Sequence, residues 1–107
     1  IPAFRKYLHT HGYCILDEQM LIDDGKYYVI FKVGHGTENY ENEVEYTYGK
    51  CLLEKKDSTA HAYIQKELDT NKHILAQLST HSTAAAQQRM EDIQYKLCLC
   101  QTALTYF

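Results

Sequence analysis

The chain has 107 residues, which is enough for one small domain or for the end of a domain with an appendage. Its formal net charge of −3 provides no overall attraction to phosphate, so nucleic-acid binding requires a local basic patch. The longest uninterrupted apolar run, residues 27–31, is far shorter than the roughly 20 residues that cross a membrane. The chain starts without an initiator methionine or a targeting segment, and its four cysteines lack CxxC spacing. We therefore expect a cytoplasmic protein with reduced structural thiols and no membrane partner.

The first predicted element is a short helix that begins near Pro2. Proline is favoured in the first turn of a helix, and Gly12 is suited to the stop that follows the last turn. Phe4, Tyr7 and Leu8 fall on one face of this helix. We expect that face to pack against the core.

A β-hairpin is predicted for residues 13–33. Asp24-Gly25 separates two β-rich runs, and glycine accepts the positive φ that a tight hairpin turn needs. One face of the second arm carries Tyr27, Val29, Phe31 and Val33, and the other carries Tyr28 and Ile30. Apolar residues on both faces indicate a strand that is covered on both sides. Because an isolated hairpin is marginal in water, we expect a fragment of a larger sheet that self-associates through its open edge and face.

The remaining sequence predicts a linker and a helical region. Residues 34–43 are polar and acidic and contain glycine, so we place a domain boundary between residues 1–42 and 43–107. A short helix or turn is predicted within residues 44–53. Two long helices follow, joined by a turn at residues 79–83.

Positions that recur with alternating spacings of four and three are apolar in both long helices, with Asn71 as the one polar exception. In the first helix these positions are Ile64, Leu68, Asn71, Leu75 and Leu78, and in the second they are Ala86, Met90, Ile93, Leu97, Cys100, Leu104 and Phe107. We call these two series the heptad seam. Since a short loop forces neighbouring helices to run antiparallel, the pattern predicts an antiparallel coiled-coil hairpin.

Groups that could carry chemistry are few. The candidates are His9, His11, Cys14 and the acid pairs Asp17-Glu18 and Asp23-Asp24. The histidines lack the i, i+4 spacing of paired metal ligands, so we expect surface histidines and no metal. The acid pairs have no nearby base, and turn and solvated-strand roles explain them better than catalysis does.

Basic residues form two small clusters, Arg5-Lys6 and Lys50 with Lys55-Lys56. They are either a solvated face or a site of phosphate contact. The ten tyrosines could stack on bases, although packing in strands and in the heptad seam explains most of them.

Several short motifs, taken together and in their order along the chain, indicate a protein family. These motifs are Phe4-Arg5-Lys6-Tyr7-Leu8, Gly12-Tyr13 with Ile15, Asp17-Glu18, Asp24-Gly25-Lys26 with Tyr28, and Tyr48-Gly49 followed by Cys51-Leu52-Leu53. Across essentially the whole chain, this order resembles the late part of the bacterial TrmK-type tRNA (adenine-N1)-methyltransferases. The resemblance implies an α+β fragment. Its first part is the last helix and the antiparallel final hairpin of a Rossmann-like class I methyltransferase sheet, and a helical coiled-coil extension follows.

The resemblance also implies a function for the parent protein. That family transfers a methyl group from S-adenosylmethionine to N1 of adenine 22 in tRNA. Its cofactor segment and its catalytic motif follow the first and fourth strands, neither of which occurs here, so we expect no cofactor-binding or catalytic residue in this chain. The expected tRNA-contacting residues are Lys50, Lys55, Lys56, Arg5 and Lys6.

Two alternatives remain open at this point. The helical hairpin could be an interaction or oligomerisation module that does not bind RNA, which agrees with the regular heptad seam and the negative charge. The chain could also be an independent small α+β protein, although the hairpin with two apolar faces argues against this.

Overall fold

Five helices and two strands make up residues 2–107, which are the residues that the computed structural model describes. In chain order they are α1 (Pro2–Thr10), β1 (Tyr13–Asp23), β2 (Lys26–His35), α2 (Glu43–Tyr48), α3 (Lys50–Glu54), α4 (Ser58–Leu78) and α5 (Ala84–Leu104). The two strands pair antiparallel in one sheet. The predicted α+β architecture is confirmed.

The hairpin turn follows from its two central residues. Asp24 and Gly25 have φ angles of 50° and 76°, and a two-residue turn with positive φ at both positions matches the twist of the flanking strands. The register pairs Asp23 with Lys26 at the turn and Ile15 with Val33 near the open end. It shifts by one residue between Ile15 and Asp17. This irregularity is a β-bulge, which bends the strand locally.

The two faces of the hairpin differ in how far their side chains are buried. Tyr27, Val29 and Phe31 on β2 are half-buried toward the helices. On the opposite side Leu16, Tyr28 and Ile30 are 56%, 48% and 52% exposed. We call these three residues the outer face of the hairpin. An apolar strand face that lies half in water is unusual for a completed sheet.

Helix α1 buries a different face from the one that its apolar residues predict. Leu8 is buried, but Phe4 and Tyr7 are exposed, and the second buried residue of the helix is Arg5. Its partner Glu18 is also buried, so the expectation that this acid is solvated is wrong. The reason is mutual: each charge is buried because the other compensates it, with Arg5 Nε donating to Glu18 Oε1 at 2.7 Å.

Gly49 permits this pair to form. Its φ is +92°, which side chains with a Cβ rarely adopt. A Cβ on Gly49 would lie 2.5 Å from Glu18 Oε2 and 2.7 Å from Arg5 Nη2. The same residue separates α2 from α3 and leaves the carbonyls of Tyr46 and Thr47 to accept bonds from Arg5 Nη1 at 2.9 and 3.1 Å. We call Arg5, Glu18 and Gly49 the buried junction, because they join α1, β1 and the start of the helical region.

The larger core lies between α2, α3, α4 and α5. Its buried members are Val44, Tyr48, Leu53, Ile64, Leu68, Ile93, Leu97, Cys100 and Ala103. Ile64 and Leu68 come from α4 and Ile93, Leu97 and Cys100 from α5, and all five belong to the heptad seam. The helices pack on each other through these positions, whereas the coiled-coil geometry itself stays a prediction.

The predicted linker is packed rather than free. Glu38 Oε1 accepts from the backbone N–H of Ile15 at 2.9 Å and lies 2.8 Å from His9 Nε2. Tyr40 is buried against the His9 ring, with centroids 4.5 Å apart. These contacts hold residues 38–40 on α1 and β1, and the boundary between residues 42 and 43 stays a prediction.

Candidate nucleic-acid interface

The Arg5 guanidinium is buried and cannot contact a phosphate. Its side chain is 2% exposed, and its nitrogens donate to Glu18 and to two backbone carbonyls. The expectation that Arg5 contacts tRNA is therefore corrected, and the residue is assigned to the buried junction. The sequence pattern was misleading because Arg5 and Lys6 are adjacent in sequence but about 100° apart around α1, which buries Arg5 and exposes Lys6.

Lys6 and Lys50 are at the surface but have partners. The Lys6 ammonium lies 2.9 Å from Glu43 Oε2 and 5.6 Å from the centre of the Tyr46 ring. Half-buried Lys50 places its ammonium 5.7 Å from the centre of the Tyr40 ring. A phosphate would have to share or displace these contacts.

Lys55 and Lys56 are both exposed and differ in their partners. The Lys55 ammonium lies 3.3 Å from Asp17 Oδ1 and also donates to the backbone carbonyl of Glu18. The backbone N–H of Glu18, followed by the Lys55 side chain, holds the pKa of Asp17 below its usual range. Lys56, which has φ +54°, forms no ion pair among residues 2–107. Of the five predicted contact residues, Lys56 is the one whose charge has no partner in the described chain.

A second surface that carries cations, together with an equal number of acids, is a groove of about 640 Å3 between the start of β2, helix α2 and the paired helices α4 and α5. We call it the α4–α5 groove. Its lining residues are Pro2, Tyr27, Glu43, Thr47, Tyr48, Tyr63, Lys66, Glu67, Thr70, Asn71, Arg89, Asp92, Tyr95, Lys96 and Leu99.

Glu67 organises one wall of the groove. Its two carboxylate oxygens accept from the hydroxyls of Tyr48 at 2.6 Å and Tyr63 at 2.7 Å. Burial first, and then hydrogen bonding to Glu67, raises the pKa of the Tyr63 hydroxyl. Burial also raises the pKa of Tyr48, whose hydroxyl lies 3.0 Å from Cys100 Sγ in the helical core. The wall is therefore tied to the core, and both tyrosines stay neutral at physiological pH.

Cations and aromatic rings line the rest of the groove. The Lys66 ammonium lies 5.6 Å from the centre of the Tyr27 ring, which meets Tyr63 edge-on at 4.9 Å. Arg89 and Lys96 on α5 are exposed, and Tyr95 between them is 57% exposed. Lys66, Arg89 and Lys96 form no ion pair within the described residues.

The groove was not predicted from the sequence, although the sequence contains a signal for it. Arg89, Asp92, Lys96 and Leu99 are spaced three, four and three residues apart, so they share a second face of α5 beside the heptad seam. On α4, Lys66 lies one turn after Tyr63. Clusters of neighbouring lysines are conspicuous in a sequence, whereas cations spread over two helices come together only when the helices pack.

Two other classes of site have no support in residues 2–107. No three or more His, Cys, Asp or Glu side chains lie close enough together to hold a metal ion. None of the helices described here is both long enough and apolar enough to pass through a bilayer. The four cysteines are free, and burial raises the pKa of the Cys51 thiol to about 11.

Comparison with known proteins then identifies the family. The family model described as TrmK, tRNA (adenine(22)-N(1))-methyltransferase, matches residues 1–101. The chain belongs to the TrmK family. The resemblance that the sequence motifs indicated is confirmed.

Several solved structures share the fold of this chain. An uncharacterized protein from Listeria monocytogenes serotype 4b superposes with a TM-score of 0.86 at 21% identity, covering 96% of this chain and 46% of its own. The B. subtilis M1A22 tRNA methyltransferase TrmK superposes with a TM-score of 0.81 at 20% identity, covering 95% of this chain and 46% of its own. M. capricolum TrmK in complex with S-adenosyl-homocysteine superposes with a TM-score of 0.81 at 19% identity, covering 99% of this chain and 45% of its own. This chain thus spans less than half the length of these relatives. No protein of curated function matches it.

Proposed function

We propose that this chain is the C-terminal part of an S-adenosylmethionine-dependent methyltransferase that modifies N1 of adenine 22 in tRNA. The family match over residues 1–101 is the observation that carries this proposal. In it, the hairpin completes the catalytic sheet, and the helical region forms an antiparallel coiled coil that helps to hold the tRNA.

The outer face of the hairpin supports the structural part of the proposal. Leu16, Tyr28 and Ile30 are about half-exposed in the described chain, and two strands alone leave both sheet edges unpaired. Such a surface needs apolar cover and strand partners. The remaining strands and helices of a larger methyltransferase domain would supply both.

The residues of this chain do not fit the cofactor. S-adenosylmethionine, when bound, supplies the methyl group, and Rossmann-like folds bind such cofactors at the carboxyl ends of parallel strands. The described sheet has two antiparallel strands and therefore no such edge. We assign no cofactor-binding or catalytic residue to this chain.

The proposed tRNA contacts of the sheet side are Lys50, Lys55 and Lys56, with Lys6 nearby. Lys56 forms no ion pair within residues 2–107, and the exposed Lys55–Asp17 pair is weak enough for a phosphate to replace the carboxylate. Contacts of this kind increase affinity without sequence selectivity, and each contributes about one unit to the dependence of log affinity on log salt concentration.

The test is a salt titration of tRNA binding in the protein that carries this chain. Replacing Lys50, Lys55 and Lys56 together by glutamine should weaken binding and flatten the salt slope by about two to three units. Affinity for S-adenosylmethionine should stay unchanged. Lys72→Gln, an exposed site on α4, is the matched control for lost charge. An unchanged slope in the triple variant would place the tRNA surface elsewhere.

An interaction module without RNA binding is the second candidate, and the half-exposed outer face is the observation that favours it. It predicts a protein that self-associates and shows no salt-dependent affinity for tRNA. The same titration, combined with sedimentation velocity, separates the two functions.

A further inference from the structure

We propose that the α4–α5 groove binds an unpaired nucleotide of the RNA, with the flanking phosphates on Lys66, Arg89 and Lys96 and the base against Tyr95. This inference rests on the proposed function and adds a contact surface that is separate from Lys50, Lys55 and Lys56.

The cations of the groove are available to a ligand. Lys66, Arg89 and Lys96 line one concave surface and form no ion pair among residues 2–107. By contrast, Lys6 and Lys55, two members of the predicted cluster, each contact a carboxylate. A phosphate entering the groove therefore gains charge contacts without breaking an existing ion pair.

The acids of the groove already have hydrogen-bond partners. Glu43 pairs with a lysine ammonium at 2.9 Å, and Asp92 accepts from a glutamine amide at 3.3 Å. Glu67 accepts from two tyrosine hydroxyls. The donors to Glu67 and Asp92 are neutral, so these carboxylates keep their charge, and acids and cations are equal in number in the groove. The three cations form no ion pair within residues 2–107, and the Lys66 ammonium keeps its contact with the Tyr27 ring.

Aromatic surface and size favour a single nucleotide. Tyr95 is 57% exposed on the groove, and its ring forms no aromatic pair within the described chain. Bases stack on such rings without regard to sequence. A volume of about 640 Å3 falls in the range of small-ligand sites. A groove of this volume has room for one splayed nucleotide.

The experiment measures tRNA affinity against salt in the protein that carries this chain. The triple variant Lys66→Gln, Arg89→Gln, Lys96→Gln should flatten the salt slope by about two to three units. Tyr95→Ala should weaken binding roughly 5- to 100-fold at an unchanged slope, because it removes stacking and no charge. Tyr95→Phe should bind as the wild type does. All four positions are exposed, and thermal melts should show the folded state retained.

Matched controls separate this inference from the proposed function. Lys96→Gln is compared with Lys72→Gln, since both remove one exposed helical lysine and only Lys96 lines the groove. A single-stranded RNA oligonucleotide should compete with tRNA in the wild type and lose that ability in Tyr95→Ala. Equal effects of the two lysine variants, together with wild-type behaviour of Tyr95→Ala, overturn the groove site alone. Absence of salt-dependent tRNA binding in the wild type overturns the proposed function and the groove site together.

Discussion

The helical core of this chain buries its apolar side chains more completely than the hairpin does. In the core, Ile93 and Cys100 on α5 and Ile64 on α4 belong to one cluster, and all three are fully buried. The hairpin buries one face against α1 and the helices and leaves Tyr28 and Ile30 half in water. The difference teaches that packed helices can bury their apolar stripes on one another within this chain, whereas a two-stranded sheet cannot cover two faces.

The buried junction connects these two regions, and its loss should have the largest effect. Arg5→Ala leaves the Glu18 carboxylate buried without a countercharge, so the free energy of unfolding should fall by about 3–5 kcal/mol. Lys6→Ala is the control, because the exposed Lys6–Glu43 pair contributes at most about 1 kcal/mol. Urea denaturation of both variants measures the difference, and equal losses would mean that the junction is solvated.

A leucine from each region tests the comparison directly. Leu97→Ala creates a cavity in the helical core and should reduce the free energy of unfolding by about 2–4 kcal/mol. Leu16→Ala on the outer face should change it by about 0.5 kcal/mol or less in this 107-residue chain. Thermal melts of the two variants provide the measurement. A similar cost at both positions would show that the outer face is covered, for example by self-association.

A charge on the outer face should alter association more than stability. Ile30→Lys should shift this 107-residue chain toward the monomer in sedimentation velocity, because it interrupts the exposed apolar surface. The unfolding free energy should change by only about 0.5 kcal/mol. Gln19→Lys is the matched control, since Gln19 is the cross-strand partner of Ile30 and is already polar. A monomeric wild-type chain at high concentration would contradict the prediction.

The reactivities of the cysteine thiols compare exposed and buried positions in the wild-type chain, without any substitution. Cys98 is exposed on α5, whereas Cys100 is buried in the helical core. With a pKa near 11, Cys51 is thiolate only to about 0.1% at pH 8. Timed iodoacetamide labelling with mass spectrometry should therefore modify Cys98 before Cys51 and Cys100. Early modification of Cys100 would indicate that the helical core opens readily.

Local patterns were sufficient to predict the elements. The Asp24-Gly25 turn, the helix that begins at Pro2 and the loop between α4 and α5 all follow from short-range chemistry, and all three lie where the sequence indicated. The four–three spacing also identified the residues that α4 and α5 bury on each other. Turn and helix preferences are local properties of a few neighbouring residues, which is why a sequence reveals them.

The sequence by itself determined the family, the order of elements and the apolar positions of the two long helices. Only the tertiary structure decided which charges are buried and which are free. Arg5 and Lys6 are neighbours in sequence, yet Arg5 is buried in an ion pair with Glu18 and Lys6 lies at the surface. Lys66, Arg89 and Lys96 are scattered over 31 positions of the sequence and line one groove because α4 packs on α5. The free energy of a charge depends on its distance to a countercharge and to water, and these distances are set by the packing of distant segments.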